Sequence, residues 1–317
     1  MLYRILKIPA RIALLIYCKK LQINKRELFR NNGPLLIAAN HPNSFLDAVL
    51  ITALFGKPVY SLARGDVFTN KFIRRLLRSL NILPVYRISE GAENLNHNYS
   101  TFEQCREIFK KNGIVLIFSE GLCLNEWRLR PLKKGTARLA FSSWEEGINL
   151  TVLPLGINYD SFDSFGKNIK INVGKSFNWD DLERKKSNGN SIAEFNNKLR
   201  GELFPLVEHI DKGDKDKIEE TFKTQTSPAK KWLLILPAFF GKWIHYPFYA
   251  PIKKLVWSKA KKSVHYDSIL IGLLFLVYPI LLLTICGTVY FMFGNWYWLL
   301  PMIILPFMAW AYIQIKN

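Results

Sequence analysis

Through the middle of the chain, short apolar runs alternate with stretches whose apolar residues recur every three to four positions. The short runs Leu35–Ala39, Val59–Ala63, Ile82–Tyr86, Ile114–Phe118, Thr151–Ile157 and Ile169–Val173 predict strands. The periodic stretches Ser44–Phe55, Lys71–Leu80, Thr101–Lys111, Gly135–Glu146 and Ser191–His209 predict helices. Alternation of this kind predicts an α/β fold with a mainly parallel sheet flanked by helices. Glu183–Asn190 reads as a polar loop and Asp211–Lys217 as a charged linker, and no internal repeat is seen.

The two ends follow a different pattern. From Ser268 to Ile313 there is no Asp, Glu, Lys or Arg. A helix crosses the hydrocarbon layer in roughly 20 residues, so this stretch has room for two passes. The spans expected are Ile269 to Phe293 and Trp296 to Ile313, with Gly294-Asn295 as the turn. A buried helical hairpin of a soluble core is the competing reading. Lys253, Lys254, Lys259, Lys261 and Lys262 precede the hairpin and Lys316 follows it, which places both ends on the cytoplasmic side. Trp232–Ile252 is apolar but interrupted by Pro237, Gly241, Lys242, Pro247 and Pro251, and reads as an interfacial segment rather than a third span. Leu2–Cys18 mixes apolar residues with Arg4, Lys7 and Arg11, the pattern of an amphipathic helix lying on a membrane. The expected organisation is a membrane-associated helix at 1–29, an α/β domain at 30–210, a basic linker and interfacial segment at 211–267, and a transmembrane hairpin at 268–317. The chain is then an integral membrane protein with its α/β domain on the cytoplasmic face.

Composition sharpens this picture. Of 317 residues 49% are hydrophobic, which excludes a disordered chain. Cys18, Cys105, Cys123 and Cys286 lie far apart with no CxxC pair, which excludes a zinc ribbon or a disulfide scaffold. The 44 Lys+Arg against 25 Asp+Glu give a net charge of +19. Such a charge suits anionic lipid or an acidic substrate; nucleic acid is disfavoured, because the basic residues flank apolar segments and no reader motif occurs.

Candidate chemistry gathers at the predicted strand ends, where ligands collect in open α/β sheets. The strand ending at Ala39 runs into Asn40-His41-Pro42-Asn43-Ser44-Phe45-Leu46-Asp47. Pro42 keeps His41 extended, and Asn43 or Ser44 can cap the following helix. A carboxylate in the first helical turn, Asp47, can orient the imidazole so that its other nitrogen serves as a base. Equally, Ser44-x-x-Asp47 is close to a capping box. The strand ending at Phe118 runs into Ser119-Glu120-Gly121, followed by Arg128, Arg130, Lys133 and Lys134; Arg64 and Arg87 end two further strands. Basic groups gathered at strand ends suit a phosphate, although each alone reads as a surface charge.

Taken in order, Asn40-His41…Asp47, Leu83-Pro84-Val85-Tyr86-Arg87, Phe118-Ser119-Glu120-Gly121, Lys133-Lys134-Gly135 and Leu153-Pro154-Leu155 resemble the four blocks of the lysophospholipid/glycerophosphate acyltransferase family, over roughly residues 30 to 210. The spacing His-x5-Asp is one residue longer than usual and is similar to glycerol-3-phosphate and dihydroxyacetone-phosphate acyltransferases. Ser119 stands for the family's proline and Leu122-Cys123 for its Thr-Arg, which leaves Arg128 or Arg130 to replace the missing arginine. The resemblance implies acyl transfer from acyl-CoA or acyl carrier protein, as co-substrate, to a hydroxyl of lysophosphatidate. Glycerol-3-phosphate, dihydroxyacetone phosphate or an amino-acid lysolipid are the alternative acceptors. It implies His41 and Asp47 as catalytic residues, with Arg64, Arg87, Arg128, Arg130, Lys133 and Lys134 on the phosphate. Asn40, Ser44, Glu120 and Gly121 would shape the acceptor site, Pro154 would belong to the structural block, and the oxyanion donors are expected at the start of the Ser44 helix. Neither a cofactor nor a metal is implied. The expected partners are membrane lipids and, where it is the donor, acyl carrier protein. A membrane-tethered lipid-binding protein is the non-enzymatic alternative.

Overall fold

The computed structural model of the chain describes residues 2–30, 33–86, 96–183, 189–224, 226–294 and 296–316. Helix α1 (Leu2–Tyr17) leads into β1 (Cys18–Ile23). Then follow β2 (Leu35–Ala39), α2 (Ser44–Leu54), β3 (Val59–Arg64), α3 (Lys71–Ser79), β4 (Ile82–Val85), α4 (Asn96–Lys110) and β5 (Ile114–Phe118). Next come α5 (Gly135–Glu145), β6 (Thr151–Tyr159), β7 (Lys167–Val173), α6 (Gly189–Leu203) and α7 (Lys215–Phe222). Three long helices close the chain: α8 (Pro228–Ala260), α9 (Tyr266–Phe293) and α10 (Leu300–Ile315).

The seven strands form one sheet in the order β1-β7-β6-β2-β5-β3-β4. All neighbouring pairs are parallel except β6 with β7. Strands β2 to β6 therefore share one C-terminal end, and β7 and β1 begin there. Strand β2 is central and buried along its whole length, which is why it is a continuous apolar run. Leu36 and Ala38 pack on one face with Phe109 of α4, Phe141 and Trp144 of α5 and Phe195 of α6. Leu35, Ile37 and Ala39 pack on the other with Leu14 and Tyr17 of α1 and Leu46, Leu50 and Ile51 of α2. Each fully buried side chain of this size contributes about 1.5–3 kcal/mol. The sheet flanked by helices is thus the architecture expected.

Several boundaries differ for identifiable reasons. Cys18–Ile23, placed within the membrane-associated segment 1–29 by the sequence, is an edge strand parallel to β7. The helix expected to reach His209 stops at Leu203, because Pro205 cannot continue it. The charged linker holds α7, capped by Asp214, whose side chain accepts the Lys217 N–H at 3.0 Å.

Tyr266–Phe293 and Tyr297–Ile315 are long and apolar enough to cross a membrane. Gly294, in the left-handed region at φ 60°, ends α9. The segment around Trp232–Ile252, expected to be broken by its prolines, lies within one helix that passes through Pro237, Pro247 and Pro251. It packs along α10, and Gly241 makes this possible: a Cβ there would stand 2.2 Å from the Met308 carbonyl oxygen.

Candidate active site

The C-terminal ends of β2 and β5 are adjacent, and the Ser119 N–H bonds the Ala39 carbonyl at 2.9 Å. This brings together two loops separated by some eighty residues. His41 is fixed at every polar backbone atom: its N–H donates to Glu120 Oε2 at 2.9 Å, and its carbonyl accepts the Leu124 N–H at 3.3 Å. Its ring stacks on Phe118, with centroids 3.8 Å apart and planes 9° from parallel.

His41 Nδ1 lies 2.9 Å from Asp47 Oδ2. Asp47 is wholly buried and also accepts the Asn43 N–H at 2.8 Å and the Tyr159 hydroxyl at 2.7 Å. Burial first, and the Asp47 charge next, push the Tyr159 phenol well above its ordinary range, so it remains a donor. With every partner donating to Asp47, the proton of the imidazole sits on Nδ1. Nε2 is left as an acceptor on a side chain that is 18% exposed. The Ser44-x-x-Asp47 capping box does not form: the N-cap is Asn43, whose side chain makes no cap bond, and the Ser44 N–H goes to Cys123; Asp47 Oδ2 instead takes the Asn43 N–H together with the imidazole. The extra residue between His41 and Asp47 is absorbed in the turn: Asn43 sits at φ −140°, ψ 44° and Ser44 at φ 52°.

The other site residues divide into braces and surface cations. Asn40 is buried and brackets β6, donating to the Ile157 carbonyl at 3.0 Å and accepting its N–H at 2.7 Å. It ties strands together instead of facing an acceptor. Glu120, also buried, takes the His41 N–H on one oxygen and the Arg130 N–H on the other, at 2.7 Å. It joins the two loops, and burial raises its pKa above the usual carboxylate value. Gly121 turns the chain at φ 65°, under the Lys133 side chain. Ser44 is buried, with its N–H on Cys123 Sγ at 2.9 Å. Pro154 pairs with Ala38 within the sheet and is structural.

Two acids missed by the sequence reading sit among the cations. Arg64 bonds Asp66 through both Nε, at 3.1 Å, and a terminal nitrogen. Glu126 takes Arg128 Nε at 2.8 Å and Arg130 at 3.4 Å, and the Arg128 guanidinium holds its carboxyl below the usual range. Lys133 and Lys134 are exposed, with no carboxylate within 4.0 Å among the described residues. Arg87 lies outside the described residues. The donors expected at the start of α2 are mostly engaged: Asn43 N–H on Asp47, Ser44 N–H on Cys123, and Leu46 N–H on Ser268 Oγ at 3.0 Å. Of the first-turn amides, those of Phe45 and Asp47 have no such side-chain partner among the described residues.

A histidine–carboxylate pair at the C-terminal end of a mainly parallel sheet is the constellation of a general-base enzyme. Residues 20–158 match the family model described as Acyltransferase. The resemblance read from the four blocks is thereby borne out. The chain is 24% identical over 126 residues to the chloroplastic 1-acyl-sn-glycerol-3-phosphate acyltransferase BAT2 of Brassica napus, a match covering 40% of this chain. It spans only 35% of that relative's length. The structure of the 1-acyl-sn-glycerophosphate acyltransferase PlsC of Thermotoga maritima superposes with a TM-score of 0.46 at 13% identity, covering 70% of this chain and 81% of that one.

Proposed function

We propose that the chain is a membrane-bound O-acyltransferase that moves a fatty acyl group from a thioester, acyl-CoA or acyl carrier protein, to the hydroxyl of lysophosphatidate. The observation that carries this reading is the His41–Asp47 contact, which leaves Nε2 free as an acceptor at the strand ends. Nε2 takes the acceptor's hydroxyl proton as its oxygen attacks the thioester carbonyl. The tetrahedral intermediate then collapses, the C–S bond breaks, and the imidazolium returns the proton to the departing thiolate. Asp47 stabilises the imidazolium through Nδ1. Of the first-turn amides without a side-chain partner, that of Phe45 is the one we assign to the oxyanion. Lys133 and Lys134 would hold the phosphate together with Arg87, while Arg64, Arg128 and Arg130 act beside the carboxylates that share them. No metal or cofactor enters this sequence of steps.

The match to the Acyltransferase family model and the name of the relative from Brassica napus support this chemistry and the choice of acceptor. The two long apolar helices support a membrane anchor, and their flanking lysines a cytoplasmic catalytic face. The His-x5-Asp spacing favours glycerol-3-phosphate as the second acceptor to be weighed.

The test is transfer of labelled acyl groups from acyl-CoA and from acyl carrier protein to a panel of lysophosphatidate, glycerol-3-phosphate, dihydroxyacetone phosphate and amino-acid lysolipids. Lysophosphatidate should be acylated fastest, and His41→Ala should lower the rate about 10²- to 10⁴-fold. Lipid binding without turnover on any acceptor would replace the enzyme with a membrane-tethered lipid carrier.

A further inference from the structure

The start of α9 lies more than a hundred residues beyond the matched acyltransferase stretch, yet it is bonded directly to the turn that carries the dyad. Ser268 Oγ accepts the Leu46 N–H at 3.0 Å and donates to the Asn43 carbonyl at 3.3 Å. The Asn43 side-chain amide donates to Asp267 Oδ2 at 2.6 Å. His265 Nδ1 lies 2.5 Å from Ser44 Oγ. Three of the four residues from Asn43 to Leu46 are therefore held by His265, Asp267 or Ser268.

Asp267 is itself locked in place. The ammonium of Lys167, at the start of β7, and the hydroxyl of Tyr17, at the end of α1, both bond it. Tyr17, Asn43, Lys167 and Asp267 are all essentially inaccessible to solvent. A buried ion pair with these added donors is stable only while every partner stays in register; withdrawing one leaves a charge alone in a medium of low polarity. The junction thus behaves as a latch with one seated position.

The turn needs such an external hold. Ser44 carries a Cβ at φ 52°, a backbone conformation that persists only where surrounding contacts over-determine it. Asn43 is the link to the chemistry. Its N–H bonds Asp47, its carbonyl bonds Ser268 and its side chain bonds Asp267.

We propose that Ser268, seated by the Asp267 latch, is a positioning residue for the His41–Asp47 dyad, so that the apolar C-terminal hairpin is a structural part of the active site as well as an anchor. This rests on the acyl-transfer reading for its kinetic consequence, but the geometric coupling stands independently of it. Ser268 lies outside the stretch that matches the family model. Its role makes dyad geometry depend on how α9 is seated.

The experiment uses the full chain in lipid nanodiscs. Ser268→Ala removes both hydroxyl bonds and should lower kcat about tenfold or more, leaving KM for donor and acceptor within about twofold. Ser268→Thr, which keeps the hydroxyl, should restore most of kcat. The second readout needs no turnover: the low-field proton resonance of the His41 Nδ1–H, identified by its loss in His41→Ala. It should be sharp in the parent and in Ser268→Thr and broadened or lost in Ser268→Ala. Thr288→Ala, on the same helix, where the hydroxyl donates to the Thr284 carbonyl at 3.0 Å, should change neither readout. If Ser268→Ala does not melt cooperatively, Ser268→Cys, which keeps the volume and weakens both bonds, carries the same measurements. A folded variant with an unchanged low-field proton overturns the proposal, whatever its kcat. If the parent transfers no acyl group while the resonance responds as described, the acyl-transfer reading fails and the positioning role stands.

Discussion

Asp47 Oδ2 receives both the Nδ1 proton of His41, at 2.9 Å, and the Asn43 N–H, at 2.8 Å, so a single carboxylate oxygen fixes the helix start and the imidazole together. Moving either group moves the other.

Asp47→Asn removes the charge that stabilises the imidazolium. With its oxygen in the place of Oδ2 the amide keeps the two shared bonds and turns its NH2 to the Tyr159 hydroxyl, so the loss is electrostatic. Acyl transfer should fall by about 10²-fold or more, mainly in kcat, with a smaller effect on KM. Steady-state kinetics on the purified chain, compared with the parent, checks this; an unchanged kcat would remove Asp47 from the mechanism.

The left-handed conformation of Ser44 makes opposite forecasts for two substitutions. Ser44→Gly loses the contact with His265 but adopts φ 52° without strain, and its stability should lie within about 1 kcal/mol of the parent. Ser44→Val brings a β-branched side chain to a position where such residues are genuine outliers, and should lose about 1–3 kcal/mol. Thermal or denaturant unfolding of the two variants side by side distinguishes them.

Asn40 holds β2 to β6 through both atoms of its amide, and both bonds are buried. Asn40→Ala leaves the Ile157 N–H and carbonyl unpaired, at about 1–3 kcal/mol for each unsatisfied group. Asn40→Asp restores an acceptor for the N–H but sets a charge against the carbonyl, so it should not rescue stability. The midpoint of urea unfolding reads both.

Glu120 gives a pH dependence with a definite sign. Burial raises its pKa in the folded protein above the unfolded value, against the opposing pull of the Arg130 and His41 N–H donors. The folded state thus holds this proton at a pH where the unfolded state has lost it. Its contribution to stability is fullest at low pH and declines as pH rises from about 4 through the raised value. The melting temperature of the parent minus that of Glu120→Gln should therefore fall over that window. A difference that is flat or grows with pH would contradict the assignment. Glu120→Gln should also be less active, because its amide places a donor against the N–H of His41 or Arg130.

Much of the scaffold was legible along the chain, for a simple physical reason. Strands buried on both faces must be apolar runs, and Leu35–Ala39 and Ile114–Phe118 were placed at their observed limits. The charge-free stretch after Asp267 could only be greasy helix, and Gly294 could only be its turn. The pairing of His41 with Asp47 was also readable, because His41 lies in the connection to α2 and Asp47 in that helix's first turn, and local sequence fixes local reach. Strand Cys18–Ile23 escaped notice because its edge position tolerates lysines, so its pattern is not that of a buried strand.

Tertiary structure alone decided what lies far apart in sequence. Nothing in the spacing shows that Glu120 grips the backbones of both His41 and Arg130, or that Glu126 and Asp66 temper the arginines meant for a phosphate. Nor does the charge-free segment announce that the residues just before and at its start, His265, Asp267 and Ser268, are turned back onto Asn43, Ser44 and Leu46. Hydrophobic periodicity reports which face of an element is buried, since that depends on the residue and its near neighbours. Which polar groups meet across the junction depends on how the elements dock, and only the folded chain, satisfying its buried donors and acceptors together, fixes that.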